Sequence, residues 1–147
     1  MRALLQRVTS ASVKVDGKIT GEINGGLLVF LGVGEGDTET YADILLKKLL
    51  ALRIFSDENG KINLSVKDIG GKVLVVSQFT LYADTSRGNR PGFTLAAKPD
   101  VAEKLYNYFC ENVKKEIGAV ERGVFGADME VSLVNDGPFT IMLNHPQ

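Results

Sequence analysis

The chain has 147 residues, 44% of them hydrophobic and 24% charged, with no low-complexity tract, which suits one soluble globular domain that buries a core without covalent staples. A single cysteine, Cys110, and a single histidine, His145, exclude an internal disulfide, a thiolate metal cluster and any imidazole site needing two ligands. A net charge of −1 excludes broad gripping of a nucleic-acid backbone, and the N-terminal MRALLQRVTS lacks the apolar stretch of a signal peptide or membrane span, so a cytoplasmic chain off the membrane is expected.

In chain order, alternation around Val13 and Val15 with Asp16-Gly17-Lys18 predicts two strands joined by a hairpin turn. After Asn24-Gly25-Gly26, the continuously apolar LLVFLGVG predicts a central strand covered on both faces and ending at Gly34. Thr38 then caps a helix over ETYADILLKKLLALRIF, with Tyr41, Ile44, Leu45, Leu49 and Leu52 on its core face. Ser56 to Lys61 reads as a loop and Gly70-Gly71 as a turn, before a second apolar strand, KVLVVSQFTLYA. Asp84 to Gly92 is a surface loop. Pro99 opens a second helix that runs to about Ile117 and is closed by Gly118. Alternation through Met129, Val131 and Leu133 predicts a strand that breaks at Asn135 to Pro138 and then resumes. The expectation is a single α+β domain over residues 1–147 with six or seven strands and two substantial helices.

Chemistry has few places to sit. Ser and Thr nucleophiles normally need a neighbouring base, yet His145 stands in a terminal NHPQ tail expected to be mobile, and Cys110 reads as a small buried helix residue. Gly32-Val33-Gly34 lacks the third glycine of a dinucleotide loop. Two polar interruptions of apolar strands remain. Ser77, Gln78 and Thr80 either satisfy backbone groups at a strand end or face a ligand. Asn135-Asp136-Gly137-Pro138 is either a hairpin turn or a backbone stripped of Cβ and N–H so that it can approach a ligand closely.

SQFTLYAD and NDGPFT, with QRVTSASV and RIFSDENGKINLSV, resemble the D-aminoacyl-tRNA deacylases of the bacterial and eukaryotic type, from LLQRV to NDGPFTI. The resemblance implies a homodimer of a barrel-like fold that hydrolyses the ester between a D-amino acid and the 3′-terminal adenosine of tRNA. It implies that Ser77, Gln78, Phe79 and Thr80 line the active site. It further implies that Gly137-Pro138 is a cis peptide inserted into the partner's site to screen chirality, that Arg7 braces it, and that Met129 belongs to the substrate-binding set. Phe139 stands where many relatives of that family carry a smaller aliphatic residue. For such an ester, main-chain N–H groups near Phe79 and Thr80 suit an oxyanion, and the ribose's free vicinal hydroxyl can stand in for the missing base, with Thr80 as nucleophile the second mechanism. No cofactor or metal is expected; the partners expected are D-aminoacyl-tRNA, glycyl-tRNA and a second copy of the chain. Arg87, Arg90 and Lys98 read either as phosphate contacts or as ordinary solubilising charge.

Overall fold

A computed structural model describes residues 1–147. Eight strands and two helices follow one another as β1 (Arg2–Val15), β2 (Lys18–Ile23), β3 (Gly26–Gly32), α1 (Glu39–Ala51), β4 (Phe55–Ser56), β5 (Ile62–Leu64), β6 (Lys72–Ser77), α2 (Pro99–Ile117), β7 (Glu121–Arg122) and β8 (Glu130–Asn144), with a 3₁₀ turn at Phe79–Tyr82. Six strands form the main sheet in the order β2-β1-β3-β6-β7, with β8 on the other side of β1; β4 and β5 form a separate pair. β1 is antiparallel to β2, β3 and β8, whereas β3-β6 and β6-β7 are parallel. The sheet curls until β2 nearly meets β7: a Cβ at Gly21 would lie 2.5 Å from the Arg122 carbonyl oxygen. The result is the expected α+β, barrel-like fold, and no helix is long and apolar enough to cross a membrane.

The two-residue period of the strands divides the core in two. Ala3, Leu5, Leu27, Val29, Leu31, Val73 and Val75 face α1 and α2, while Val8, Val13, Leu28, Leu74 and Val76 fill the inside of the barrel. β3 therefore has no solvent face, as its unbroken apolar run requires. The Asp16-Gly17 turn has φ of 50° and 77°, the left-handed pair that matches the twist of a two-residue hairpin. Gly26 is needed where β3 starts, since a Cβ there would overlap the Lys72 backbone of the parallel neighbour β6. Thr38 accepts the Tyr41 N–H as the cap of α1, and Gly118, at φ 87°, closes α2.

Four boundaries differ from the sequence reading. α1 stops at Ala51, not near Phe55, because Ile54 and Phe55 are drawn into the core and Phe55 pairs with Leu64. The resulting β4-β5 pair flanks the expected loop, and with the two-residue β7 it raises the strand count to eight. β6 ends at Ser77 rather than continuing through Ala83. Finally, Asn135 to Pro138 does not divide two strands: β8 is one element from Glu130 to Asn144, kept in line by fourteen-residue β1.

Candidate active site

β6 ends where its partner ends. Gln78 N donates to Leu31 O at 2.8 Å, β3 stops one residue later, and the chain leaves the sheet in the turn Phe79–Tyr82. Gly32 and Gly34 make room for that turn. A Cβ at Gly32 would meet Gln78 O at 3.0 Å, and one at Gly34 would meet the Tyr82 hydroxyl at 2.7 Å. The paired glycines that mean nothing as a dinucleotide loop thus have a packing role. Arg2 fixes the exit: its Nη1 donates to Leu81 O at 2.7 Å and its guanidinium lies 4.4 Å from the centre of the Tyr82 ring. Burial and the nearby Asp37 carboxylate push the Tyr82 phenol up to about 12, so it stays neutral. The turn's first internal bond runs from Leu81 N to Gln78 O, 3.3 Å, and leaves the N–H groups of Phe79 and Thr80 unused inside the turn. Gln78 Nε2 donates to the exposed Thr80 Oγ1.

Beside this turn lies a cleft of about 700 Å³, mostly apolar. Ser77, Gln78 and Phe79 form one wall, the start of α2 at Lys98 and Pro99 another, and Phe125 to Met129 a third. Tyr106 sits at its base, fully buried, with its hydroxyl donating to Val75 O at 2.8 Å. Phe93 closes the rim edge-to-face against Phe79, with ring centres 5.0 Å apart. Four of the eight residues singled out from the sequence, Ser77, Gln78, Phe79 and Met129, line this cleft; Thr80 follows on the same turn, outside the lining. Sequence reasoning missed Phe93 and Phe125. Both are half-buried aromatics in glycine-bearing loops, and an aromatic amid turn formers was the available signal.

Gly137, Pro138 and Arg7 lie elsewhere. Gln6 pairs with Thr140 and Val8 with Asn135, so residues 136–139 of β8 bulge outward opposite Arg7 alone. The Gly137-Pro138 peptide in this bulge is cis, and both residues are exposed. Arg7 is only 8% exposed. Its Nε donates to Asp136 O at 3.2 Å and pairs with Asp136 Oδ2 at 3.1 Å, while Nη1 donates to Ile54 O at 2.6 Å. The guanidinium lies 4.4 Å from the Phe139 ring centre, which gives the aromatic at 139 a partner. Asn135 Nδ2 donates across the bulge to Arg7 O and Phe139 O. An exposed loop is therefore held from beneath by one buried cation.

The family model for D-Tyr-tRNA(Tyr) deacylase matches residues 4–144, nearly the whole chain. The chain belongs to that deacylase family. A relative from Thermosipho melanesiensis, named D-aminoacyl-tRNA deacylase, is 57% identical over 145 residues, covering 98% of this chain and 97% of its own. Among solved structures, one named c-Myc DNA Unwinding Element Binding Protein superposes over the full length of both chains with a TM-score of 0.94 and 43% identity. Another, described as a probable eukaryotic D-amino acid tRNA deacylase, gives a TM-score of 0.82 at 21% identity over 97% of each chain and supports the fold.

In this deacylase family member the remaining reactive side chains stand apart from the cleft. His145 is not in a loose tail: its N–H donates to Met1 O and its ring packs edge-on against Tyr41 at 5.0 Å. No three His, Cys, Asp or Glu side chains converge as a metal site would need. Cys110 is fully buried in α2, and burial pushes its thiol from 9.0 up to about 11, so the nucleophilic thiolate is absent at neutral pH. The native state holds this proton more tightly than the unfolded chain does. Stability present below pH 9 should therefore be lost as pH rises towards 11, by roughly 2–3 kcal/mol from this group. Urea titrations across that range should show the decline, and Cys110→Ala should flatten it. Alkylation of Cys110 without denaturant at pH 8 would contradict the burial.

Proposed function

We propose that the chain hydrolyses the ester joining a D-amino acid, and glycine, to the 3′-terminal adenosine of tRNA, in the cytoplasm, and spares L-aminoacyl-tRNA. Membership of the deacylase family and the name of the 57% identical relative support this reading. The observation that carries it is the strand-end turn, which leaves the N–H groups of Phe79 and Thr80 unused and whose Phe79 lines an apolar cleft beside Ser77 and Gln78. Such donors, fixed before reaction, stabilise the oxyanion of an ester's tetrahedral intermediate. No histidine or thiolate is at hand to activate water, and the substrate's vicinal ribose hydroxyl fills that role. Gln78 and Thr80 position the reacting group; Thr80 as a nucleophile is the weaker alternative.

The active form in this proposal is a homodimer. Gly137 and Pro138 do not line the cleft of their own chain, so only a second copy can bring them to a substrate there, with Arg7 holding the loop in shape. Activity per chain should then fall on dilution together with dimer, followed by analytical ultracentrifugation and deacylation in parallel. Full activity of a demonstrated monomer would refute the crossed site.

The likeness to a protein named for binding a DNA unwinding element favours a second reading, a nucleic-acid-binding module without turnover. D-tyrosyl-tRNA and L-tyrosyl-tRNA distinguish the two. Release of free tyrosine from the D ester alone is expected, and binding of both without release would support the module.

A further inference from the structure

We propose that Phe79 and Phe93 at the rim of the cleft, with Lys98 of its lining and Arg87 and Arg90 on the loop that leads to Phe93, form a subsite for the single-stranded nucleotides that precede the esterified terminal nucleoside. It rests on the deacylase reading and extends it from the ester to the strand that delivers it. A cleft of about 700 Å³ accommodates an aminoacyl nucleoside, so the rest of the strand must leave over an edge. Tyr106 and Ala102 are buried beneath it, which closes the floor. At the rim, Phe79 is 56% exposed, and Phe93 braces it edge-to-face. A single exposed phenylalanine is common on a protein surface. This one stands between Gln78 and Thr80 and shares its wall with the reacting groups, so a base beside the terminal nucleoside would reach it. Aromatic faces of this kind hold unpaired bases without regard to sequence.

Positive charge gathers on the loop that leads to this rim and in the cleft lining. Between Asp84 and Asp100 the chain carries Arg87, Arg90 and Lys98 and no carboxylate, although the whole molecule has a net charge of −1. All three cations are exposed, and none belongs to the three ion pairs of the molecule. Their loop is shaped in advance. Asp84 and Gly92 exchange backbone hydrogen bonds of 2.8 and 2.9 Å, and Asp84 Oδ1 accepts the Ser86 N–H, which ties up the carboxylate nearest the arginines. Glu35 N to Leu95 O and Ala97 N to Val33 O then pin the segment after Phe93 to the end of β3. Lys98 lines the cleft itself, beside the first turn of α2. Cations on an ordered loop beside an aromatic pair are the elements of single-strand binding, and three of them suit a contact of only a few phosphates.

The test compares two esters, D-tyrosyl-tRNA and D-tyrosyl-adenosine, with the double variant Arg87→Gln, Arg90→Gln. The expected result is a loss of about tenfold or more in kcat/KM on the tRNA. The log–log salt slope should be shallower by about 0.7 for each phosphate contact removed, and D-tyrosyl-adenosine should be cleaved as by the unaltered protein. Equal losses on both esters, or unchanged tRNA kinetics with an unchanged salt slope, would overturn the subsite. An unaltered protein that cleaves neither ester would instead overturn the deacylase reading beneath it. Stacking is read separately with an amide-linked D-tyrosyl RNA oligonucleotide carrying 2-aminopurine next to its terminal adenosine. Binding should quench the fluorescence, Phe93→Leu should lessen the quench and Phe93→Tyr should restore it. A quench unaltered by both Phe93→Leu and Phe79→Leu would remove the stacking role.

Discussion

Replacing the vicinal hydroxyl of the terminal adenosine by hydrogen should slow deacylation by roughly 10²–10⁴-fold, the usual worth of general acid–base assistance, whereas Thr80→Ala should cost less than about tenfold. The expectation comes from what surrounds the turn. Thr80 Oγ1 accepts a hydrogen bond from Gln78 Nε2, an amide that cannot take a proton from it, and the only histidine is packed against Tyr41. A threonine in that setting has no route to an alkoxide, and deleting a true nucleophile would cost several orders of magnitude. The main-chain donors at Phe79 and Thr80 survive Thr80→Ala, because the turn is held by Leu81 N to Gln78 O and by Arg2, not by the threonine side chain. Single-turnover rates on matched ribose and deoxyribose substrates decide the matter. An inactive Thr80→Ala protein together with an active deoxy substrate would transfer the chemistry to the threonine.

How far the sequence discloses this site depends on whether the controlling contacts are local. The Asp16-Gly17 hairpin, the Thr38 cap and the span from Pro99 to Gly118 were legible because each is decided by residues within a turn or two of one another. The end of β6 was not. SQFTLYA has the apolar content of a continuing strand, and what stops it is the end of β3 at Gly32, forty-five residues earlier than Ser77. The same holds for Asn135 to Pro138. Their composition is that of a hairpin turn, but pairing with β1 on both sides of the interruption keeps β8 on course and forces residues 136–139 into a bulge. Both candidate motifs were visible as polar breaks, and only the resemblance joined them. In one chain the structure keeps Gly137-Pro138 out of the cleft that holds Ser77, so the connection between them is intermolecular in the proposal and could not have come from periodicity.

Gly137→Ala should lower deacylation of every substrate by roughly 5–150-fold, the rate equivalent of the 1–3 kcal/mol that overpacking a fitted contact costs. The single chain should hardly notice the change. Gly137 does not need a left-handed backbone, and the nearest atom to an added Cβ is Asn135 Oδ1 at 3.3 Å, on an exposed side chain at the edge of the bulge. A thermal midpoint within a few degrees of the unaltered protein, combined with a large loss of activity, would place the obstruction in the neighbouring cleft. The same geometry governs which enantiomer passes. A wall made of the Gly137-Pro138 backbone has no side chain with which to grasp the substrate's own, so it discriminates by collision with an L side chain while a D side chain points away. Glycine has nothing to collide. Loss of a few favourable contacts, worth about 1–3 kcal/mol, is too little to exclude it, so glycyl-tRNA should be cleaved beside D-aminoacyl-tRNAs of varied size while L-aminoacyl-tRNAs persist. Deacylation of matched D-, L- and glycyl-tRNAs measures this directly. Resistance of glycyl-tRNA, or equal cleavage of the two enantiomers, would mean that the Gly137-Pro138 bulge does not select by exclusion.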